Sequence, residues 1–363
     1  MRVKSVYADG FRNLKTAATD ISEGVNVVSG DNGQGKTNFL EAVYICAAGR
    51  SWRTKSDRDL INFGESQAFL RLTTDRGGLN DQIAVHIKKD EKKSIAVNAL
   101  EVKKLGELLG TLLVVAFSPD DLALVKYGPA ERRRFMDVEL CQLYKLYYYE
   151  LKQYYHILKQ RNNLLKDVKS VPGLKKTIGV WDELLAGHGA KLTDYRADFI
   201  RRVNAAAGRI HAEISDNREK LEIIYKPSAG KDLLKKLTKS LDRDVQTGAT
   251  SVGPHKDDAV YLIDARDARV FGSQGQQRLA CLSSKLAEME IIREEKKEDP
   301  VLLLDDVLSE LDEKRQMFLF EYIKGAQALV TTAAPYKADI KNGYASLYVK
   351  NGEITRRNEE ASK

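Results

Sequence analysis

The first 117 residues alternate short apolar runs with polar turns, which is the pattern of β-strands. Gly77-Gly78 and Lys89-Asp90 separate some of these runs as turns. A helix is predicted over Lys36–Ala47, where apolar residues recur at three- and four-residue spacing. These elements indicate the first half of an α/β or α+β domain. The predicted strands are Arg2–Tyr7, Val25–Val28, Phe69–Thr73, Ile83–Ile87, Ser94–Val97 and Leu112–Phe117.

The pattern changes after residue 121, where helix-forming sequence replaces the strands. Two runs, from Ala130 to about Asp167 and from Asp182 to about Asn217, each predict a helix on the order of 50 Å long at 1.5 Å per residue. Pro172-Gly173 separates them, so we expect an antiparallel helical arm. Residues three and four apart are expected to form the seam between the two helices, and a stacking platform for bases is the alternative role of the tyrosines. The seam residues are Phe135, Leu140, Leu143, Tyr144, Tyr147, Leu151, Tyr154, Tyr155 and Leu158.

Strand character returns after the arm. We therefore predict an α/β fold with a mixed sheet and helices in a head made of residues 1–120 and 250–363, and a helical arm domain, 121–249, inserted into it. Within the head, residues 250–298 and 299–363 are expected to form two lobes. The predicted elements are strands Leu221–Tyr225, Ala259–Ile263, Val301–Leu304 and Ala328–Val330, a helix that follows Phe271–Arg278 and runs to about Arg293, a helix Glu313–Ile323 and a terminal hairpin around Lys350-Asn351-Gly352.

The composition is that of a globular protein. The chain has 363 residues, 43% hydrophobic and 31% charged, which is enough for a sizeable buried core. No apolar run approaches the roughly 18 residues of a membrane helix. The start of the chain lacks a signal-peptide core, so we expect a cytoplasmic protein without a membrane partner. Cys46, Cys141 and Cys281 lack metal-ligand spacing and are expected to be packed thiols.

The net charge of +7 and a pI of about 9.0 permit a polyanionic partner. The basic residues are concentrated between Leu151 and Val180, where Asp167 is the single acid. A solvated helix face explains this charge as well as a nucleic-acid contact does. The basic residues of this stretch are Lys152, Lys159, Arg161, Lys166, Lys169, Lys175 and Lys176.

A glycine-rich loop, Gly30–Thr37, connects the first buried strand to the first helix. Glycines allow backbone N–H groups to turn inward around phosphate oxygens, and the helix N-terminus adds its positive dipole end. In such a loop Lys36 lies between the terminal phosphates and Thr37 holds magnesium. The loop therefore predicts a nucleoside triphosphate site.

Two further segments carry complementary chemistry. The apolar run Val301–Leu304 ends in Asp305 and Asp306, and carboxylates at the end of a buried strand beside a phosphate loop are suited to hold magnesium and to activate water. Phe271–Arg278 opens a helix with serine and glycine, which makes a second anion-binding surface. One chain thus has two phosphate-binding surfaces, far apart in sequence.

With these residues in place, the sequence resembles the RecF family, bacterial recombination mediators among the ABC-type ATPases and relatives of the SMC proteins. The resemblance spans nearly the whole chain. The matching stretches are Phe11-Arg12-Asn13, Gly30–Thr37, Gly49–Thr54, Phe117–Asp121, Arg132–Phe135, Gly253–Asp258, Phe271–Arg278 and Val301–Asp312.

The resemblance implies a role for each motif. Gly30–Thr37 is Walker A, Ser273–Gln276 the ABC signature, Asp305-Asp306 the Walker B pair and Ser309–Asp312 the D-loop. Thr37 and Asp305 are the implied magnesium ligands. The residues expected to act in hydrolysis are Asp306, Asp305, Lys36 and Ser273. Those expected to bind ATP are Gly30, Asn32, Gly33, Gly35, Lys36, Thr37, Asn38, Arg12, Asn13, Ser273, Gly275 and Gln276, and Arg53 is a further candidate at the pocket edge.

In such proteins the signature of one subunit covers the ATP held by Walker A of the other, so the resemblance implies a head-to-tail homodimer formed with ATP. It also implies a nucleoid-associated protein of DNA repair, replication, recombination and the SOS response. Such a protein binds gapped, junction or duplex DNA and helps to load recombinase with RecR and RecO.

Departures from the wider ABC pattern predict weak turnover. The signature reads Ser-Gln-Gly-Gln, the expected base is Asp306 where transporters have glutamate, and Thr331 or Thr332 stands where a histidine follows the strand. Ser118 replaces the usual Q-loop glutamine. We therefore expect a slow, DNA-stimulated ATPase that works as a switch.

DNA contacts are expected from Lys152, Lys159 and Arg161 on the arm. His255 and Asp257, in a tight Gly-Pro turn, are expected to support the lobes of the head. An SMC-like structural clamp and a transporter ATPase subunit are the alternative functions. The arm is short for the coiled coil of the first and long for the helical subdomain of the second.

Overall fold

The computed structural model describes residues 1–168, 170–333 and 344–357. It divides into two compact units: unit 1 contains Met1–Asp121 and the described residues from Met289 on, and unit 2 contains Leu122–Glu288. The predicted head and arm differ from this division in residues 250–288, which belong with the helical insertion and not with the head.

The first part of unit 1 contains eight strands and two helices in chain order. The Walker A loop lies between the third strand and the first helix. The elements are β1 (Arg2–Phe11), β2 (Leu14–Asp20), β3 (Val25–Ser29), α1 (Lys36–Ala48), β4 (Gln67–Arg76), β5 (Leu79–Lys88), β6 (Ser94–Val97), β7 (Leu100–Glu101), α2 (Leu105–Leu108) and β8 (Val114–Phe117).

Unit 2 is mainly helical. The break predicted at Pro172-Gly173 is confirmed, because a 3-10 turn, Pro172–Thr177, separates two long helices there. The elements are α3 (Ala123–Lys126), α4 (Pro129–Leu143), α5 (Lys145–Asp167), α6 (Ile178–Ile214), β9 (Leu221–Lys226), α7 (Leu233–Thr247), β10 (Asp258–Ile263), β11 (Arg266–Asp267), α8 (Ala268–Phe271) and α9 (Gln274–Lys296), the last of which continues into unit 1 from Met289.

The chain then completes unit 1. The predicted terminal hairpin is confirmed, with its turn at Asn351-Gly352. The elements are β12 (Val301–Leu304), α10 (Glu313–Tyr322), β13 (Ala328–Thr332), β14 (Ala345–Lys350) and β15 (Glu353–Arg357).

Two six-stranded sheets of described residues form unit 1. One is antiparallel, in the order β2-β1-β4-β5-β6-β7. The other has the order β15-β14-β3-β13-β12-β8 and is parallel except for β15. α1 contacts strands of both sheets, and Phe39 to Ala48 are all buried. The main core of unit 1 therefore surrounds this helix.

The parallel sheet positions the motifs. Val27 pairs with Val330 and Leu304 pairs with Val330 and Phe117, so β3, β12, β13 and β8 end at one edge. Walker A follows β3, and the Walker B pair follows β12. The carboxyl ends of parallel strands are where α/β folds bind their ligands.

The helical arm departs from its prediction in two places. Tyr144 has extended backbone angles and divides the first predicted helix into α4 and α5. Tyr155 is 43% exposed and so is not a seam residue, whereas Tyr147 and Tyr154 are fully buried. The neighbours α5 and α6 otherwise contact each other as predicted, and Leu158 of α5 and Leu192 of α6 are buried.

The three cysteines are buried, and none of the three is in a disulfide, as expected for packed thiols. Within the described ranges, no helix is both long and apolar enough to cross a bilayer.

Candidate nucleotide-binding site

The Walker A loop surrounds the ammonium group of Lys36. Its Nζ donates to the backbone carbonyls of Gly30 at 2.6 Å and Asp31 at 2.9 Å. The first turn of α1 contains no acidic residue, so the positive end of the helix dipole is available to an anion. A positive side chain and free helix N–H groups at one place make a phosphate site.

Asn13 fixes the position of this loop. Its Nδ2 donates to the Gly33 carbonyl at 2.7 Å, and its Oδ1 accepts from Asn38 Nδ2 at 2.7 Å. Gly35 has a φ of 118°, and a Cβ there would lie 2.6 Å from Asn13 Oδ1. Asn13 thus holds the loop through its side-chain hydrogen bonds. The absence of a side chain at Gly35 permits the close approach of Asn13 to the loop.

The Walker A and Walker B motifs meet at Asp305. Thr37 Oγ1 and Thr331 Oγ1 each donate to Asp305 Oδ1 at 2.8 Å. Thr331 Oγ1 also accepts from the backbone N–H of Asp306 at 2.9 Å. Thr331, one of the two threonines noted where a histidine is usual, therefore links both aspartates to the end of β13.

The two aspartates have different environments. Asp305 is 5% exposed, and its burial raises the pKa of its carboxyl above the ordinary value, while the hydroxyls of Thr331 and Thr37 lower it and the neighbouring Asp306 raises it. Asp306 is exposed and has a φ of 52°, in the left-handed region that aspartate tolerates. One carboxylate is therefore held inside the site, and the other faces solvent.

The residues present fit a magnesium ion. Thr37 and Asp305 offer a hydroxyl and carboxylate oxygens, the ligand types that Mg²⁺ takes together with water and substrate phosphates. The disfavoured negative charge of buried Asp305 would be compensated by a cation. When bound, magnesium would neutralise negative charge on the phosphates.

An arginine pair beside the loop depends on a residue that the sequence analysis missed. Arg12 donates Nε and Nη2 to the Glu41 carboxylate at 3.1 and 3.0 Å, and Arg53 Nη1 lies 2.7 Å from Asn38 Oδ1 and 3.4 Å from Glu41. Ser51 donates to the same carboxylate. Glu41 is fully buried on α1. The sequence signal for its role is that Glu41 is an acidic residue among the apolar residues of this helix. Whether Arg12 and Arg53 contact nucleotide stays a prediction.

The signature segment lies in unit 2 at the N-terminus of α9, where Ser273 and Gly275 are exposed. Gln276 N–H donates to Ser273 Oγ at 3.2 Å, and Ser273 N–H donates to Gln276 Oε1 at 2.8 Å. This reciprocal pair is a capping box. Gln276 Nε2 also donates to Glu219 at 3.0 Å. The helix start is thus preformed, and Glu219 was not anticipated.

The D-loop segment caps the next helix through Asp312. Asp312 accepts from Arg315 N–H at 2.9 Å at the start of α10. Ser309 Oγ donates to the Asp306 carbonyl at 2.8 Å. The segment is therefore tied to the end of Walker B as well as to α10.

The prediction that Arg161 contacts DNA is wrong. Arg161 is fully buried, with Nε 2.6 Å from Asp182 and Nη1 2.8 Å from Asp244. Its charge is committed to two carboxylates inside unit 2 and cannot reach a phosphate in solvent. Lys152 and Lys159 are exposed on α5 and stay predictions. Lys169 lies outside the described residues.

His255 and Asp257 belong to the interior of unit 2. His255 Nδ1 is 2.7 Å from the Tyr154 hydroxyl, and burial lowers the pKa of this histidine to about 4. Asp257 accepts from Arg196, from the Tyr225 hydroxyl and from the backbone of Ser228. No group of three or more His, Cys, Asp or Glu side chains in the described part of the chain could hold a metal ion. Both residues therefore stabilise the interior of unit 2, and support between the lobes of the head stays a prediction.

Comparison with known proteins places these motifs in a family. Residues 2–355 match the family profile described as "RecF/RecN/SMC N terminal domain". The DNA replication and repair protein RecF of Lachnoclostridium phytofermentans is 45% identical over 91% of this chain and 92% of its own length. RecF of Alkaliphilus oremlandii is 42% identical over 98% of this chain and its full length.

Solved structures agree. A structure described as the recombination mediator protein RecF-ATP in the RecFOR pathway superposes with a TM-score of 0.91 at 36% identity, covering 98% of each chain. The Smc head domain of Pyrococcus furiosus has a TM-score of 0.59 at 16% identity, covering 99% of this chain and 97% of that one, which reflects the fold alone. The fold is that of an ABC-type ATPase head with an inserted helical region, and the chain belongs to the RecF family of DNA replication and repair proteins.

Proposed function

We propose that this chain is an ATP-dependent DNA-binding recombination mediator. It dimerises head to tail on ATP, binds gapped or junction DNA and helps to load recombinase together with RecR and RecO. Hydrolysis is slow, is stimulated by DNA and serves as a switch. ATP is suggested by the RecF relatives whose structures are described with it.

The observation that carries this proposal is the hydrogen bond between Thr37 and Asp305, 2.8 Å long, which joins Walker A to Walker B inside unit 1. A complete ABC-type site also needs a signature. The signature of this chain is exposed on unit 2, with a preformed helix start around Ser273. In the ABC-type arrangement, the signature comes from a second chain.

The residues of the site have distinct roles in this proposal. Lys36 places its charge against the terminal phosphates, and Thr37 with Asp305 holds magnesium. Asp306 orients the attacking water and accepts its proton. Because aspartate is one methylene shorter than glutamate, Asp306 reaches less far than the usual base, which supports slow turnover.

Size-exclusion chromatography with and without ATP tests the dimer. The wild-type chain is expected to shift to a dimer with ATP. Lys36→Met should remain monomeric because nucleotide is not held, and Ser273→Arg should remain monomeric because the signature is blocked. Ser170→Arg, a matched change at an exposed serine of unit 2, should dimerise normally. Dimers that form without ATP would contradict the proposal and favour a constitutive structural clamp.

DNA binding with ATP is tested by comparing gapped, duplex and single-stranded DNA over a range of salt concentrations. Binding through phosphates falls steeply with salt and is independent of base sequence. The proposal expects gapped or junction DNA to bind most tightly, and binding to weaken in Lys36→Met. If Lys36→Met bound DNA as tightly as the wild type, DNA affinity would not depend on ATP, which would contradict the proposal.

A further inference from the structure

An exposed row of basic side chains runs along α7 in unit 2. Lys235, Lys239 and Arg243 follow one another at intervals of four residues, and Lys231 precedes the helix at the same interval. All four residues are exposed. Among the described residues, none of them makes an ion pair. We call these four residues the basic row.

The opposite face of α7 is anchored in unit 2. Leu233 is 2% exposed and Leu237 is fully buried. Asp244, also fully buried, accepts from Arg161 at 2.8 Å and from the backbone of Ser251 at 3.0 Å. These contacts fix the rotation of the helix about its axis. The buried Arg161 therefore holds in place the helix that presents the basic row.

The charge around the row is strongly positive. Residues 231–243 contain five basic residues and two acidic ones. One of the acids, Asp242, is paired with Lys175 at 2.7 Å, and the other is Asp232. Lys236 donates to the Ser228 carbonyl at 3.1 Å and lies off the row. The surface thus leaves uncompensated positive charge in a line.

We propose that the basic row binds the phosphate backbone of DNA. This inference rests on the proposed function and names a surface for it. Four-residue steps advance about 6 Å along a helix and rotate by about 40°, so the row slants across the exposed face. The helical part of the row, Lys235 to Arg243, is about 12 Å long, which matches roughly three to four base pairs of duplex at 3.4 Å per phosphate of each strand.

The chemistry of α7 favours phosphate over base recognition. The helix contains no aromatic residue that could stack on a base. Lysine is a flexible point charge suited to phosphate, and three of the four row residues are lysines. The row therefore contributes affinity that is independent of DNA sequence.

The test is the triple substitution Lys235→Gln/Lys239→Gln/Arg243→Gln in the full-length chain. Affinity for a labelled DNA duplex is measured with ATP and Mg²⁺ by fluorescence anisotropy, from about 50 to 200 mM salt. The matched control is Lys89→Gln/Lys92→Gln/Lys103→Gln, which removes the same charge from exposed lysines of unit 1. Circular dichroism and ATP-dependent dimerisation should be unchanged in both variants, because all six side chains are exposed.

The expected result is a loss of about tenfold to a hundredfold in DNA affinity at low salt, with a salt slope shallower by about one for each phosphate contact removed. The control should lose less than the row variant and keep the wild-type slope. A row variant with wild-type affinity and slope would overturn the inference. A wild-type chain that does not bind DNA with ATP would contradict the proposed function itself, and the row with it.

Discussion

At the residue scale, burial of Asp305 raises the pKa of its carboxyl and so makes the stability of the protein depend on pH. The raised pKa of Asp305 means that its ionised form is disfavoured in the folded state. Its contribution to stability is therefore lost as pH rises from the ordinary value of 3.8 through the raised pKa. Asp305→Asn should raise the Tm of the nucleotide-free protein at pH 7, because the amide oxygen can still accept from Thr37 and Thr331.

A thermal denaturation series from pH 7 to below 4 checks this prediction. The Tm advantage of Asp305→Asn should shrink as pH falls, and Mg²⁺ with ATP should stabilise this variant less than the wild type. Asp306→Asn is the comparison, since asparagine tolerates the same backbone conformation. The charge of exposed Asp306 raises the pKa of Asp305 less than burial does, so this variant should raise the Tm less than Asp305→Asn. A lower Tm for Asp305→Asn at pH 7 would contradict the account.

Arg161 has a structural role in unit 2. Its removal leaves Asp182 and Asp244 buried without their partner, so Arg161→Ala should lower the free energy of unfolding of unit 2 by about 3–5 kcal/mol. Lys159→Ala, exposed on the same helix, should change it by less than about 0.5 kcal/mol. Trp181 lies in α6, so urea unfolding followed by its fluorescence in a Trp52→Phe background reports on unit 2. Equal stability of the two variants would rule out the buried role.

These residues mark the limit of sequence reasoning at this scale. Lys36, Thr37 and Asp305 could be predicted because their local motifs determine their chemistry. The buried role of Arg161 could not be predicted. Its partners Asp182 and Asp244 lie 21 and 83 positions further along the chain, and no periodicity indicates them. Thr331 was noted as a replacement, but its bonds to both aspartates depend on strand register.

At the element scale, the turn of the hairpin β14–β15 contacts the Walker A loop and the residue that holds it. Asn351 N–H donates to Gln34 at 2.6 Å, and Gly352, with a φ of 79°, packs so closely that a Cβ would overlap the Asn13 carbonyl. Gly352→Ala should displace Asn13, which holds the loop, and weaken ATP binding by about five- to tenfold.

Equilibrium binding of a fluorescent ATP analogue measures this effect. Gly325→Ala is the matched control: Gly325 also has a positive φ, of 92°, but nothing lies within 4 Å of its Cβ position. The control should lose stability without losing ATP affinity. Similar affinities for both variants would indicate that the hairpin is only a sheet edge.

Helices and strands with strong periodicity were predictable, and their interruptions were not. Val301–Leu304 matches its prediction in full. The break at Tyr144 was not predictable, because no glycine or proline marks it in the sequence. The helix α7 was missed although its lysines were visible in the sequence. The DNA contacts were predicted on α5 instead, because the basic residues of the sequence are concentrated at 151–180.

At the scale of the whole molecule, Walker A and Walker B lie in unit 1 and the signature in unit 2. The order of motifs along the chain predicted the fold and the family, because each motif has a distinctive local pattern. The grouping of residues 250–288 with the helical insertion was not predictable, since it depends on packing between segments far apart in sequence. In the proposed dimer each nucleotide site takes residues from two chains, which makes complementation possible.

Equal amounts of Lys36→Met and Ser273→Arg chains should recover ATPase activity that neither has alone. In a mixed head-to-tail dimer, the intact Walker A of the Ser273→Arg chain meets the intact signature of the Lys36→Met chain. Neither variant dimerises with itself, so the dimers that form are mixed and each has one intact site of two. The upper limit is therefore roughly half of wild-type activity. Lys36→Met mixed with the double variant Lys36→Met/Ser273→Arg forms no intact site in any pairing and is the control. Recovery above that control requires a site shared between chains, whereas its absence at concentrations where wild type dimerises would mean that each chain completes its own site.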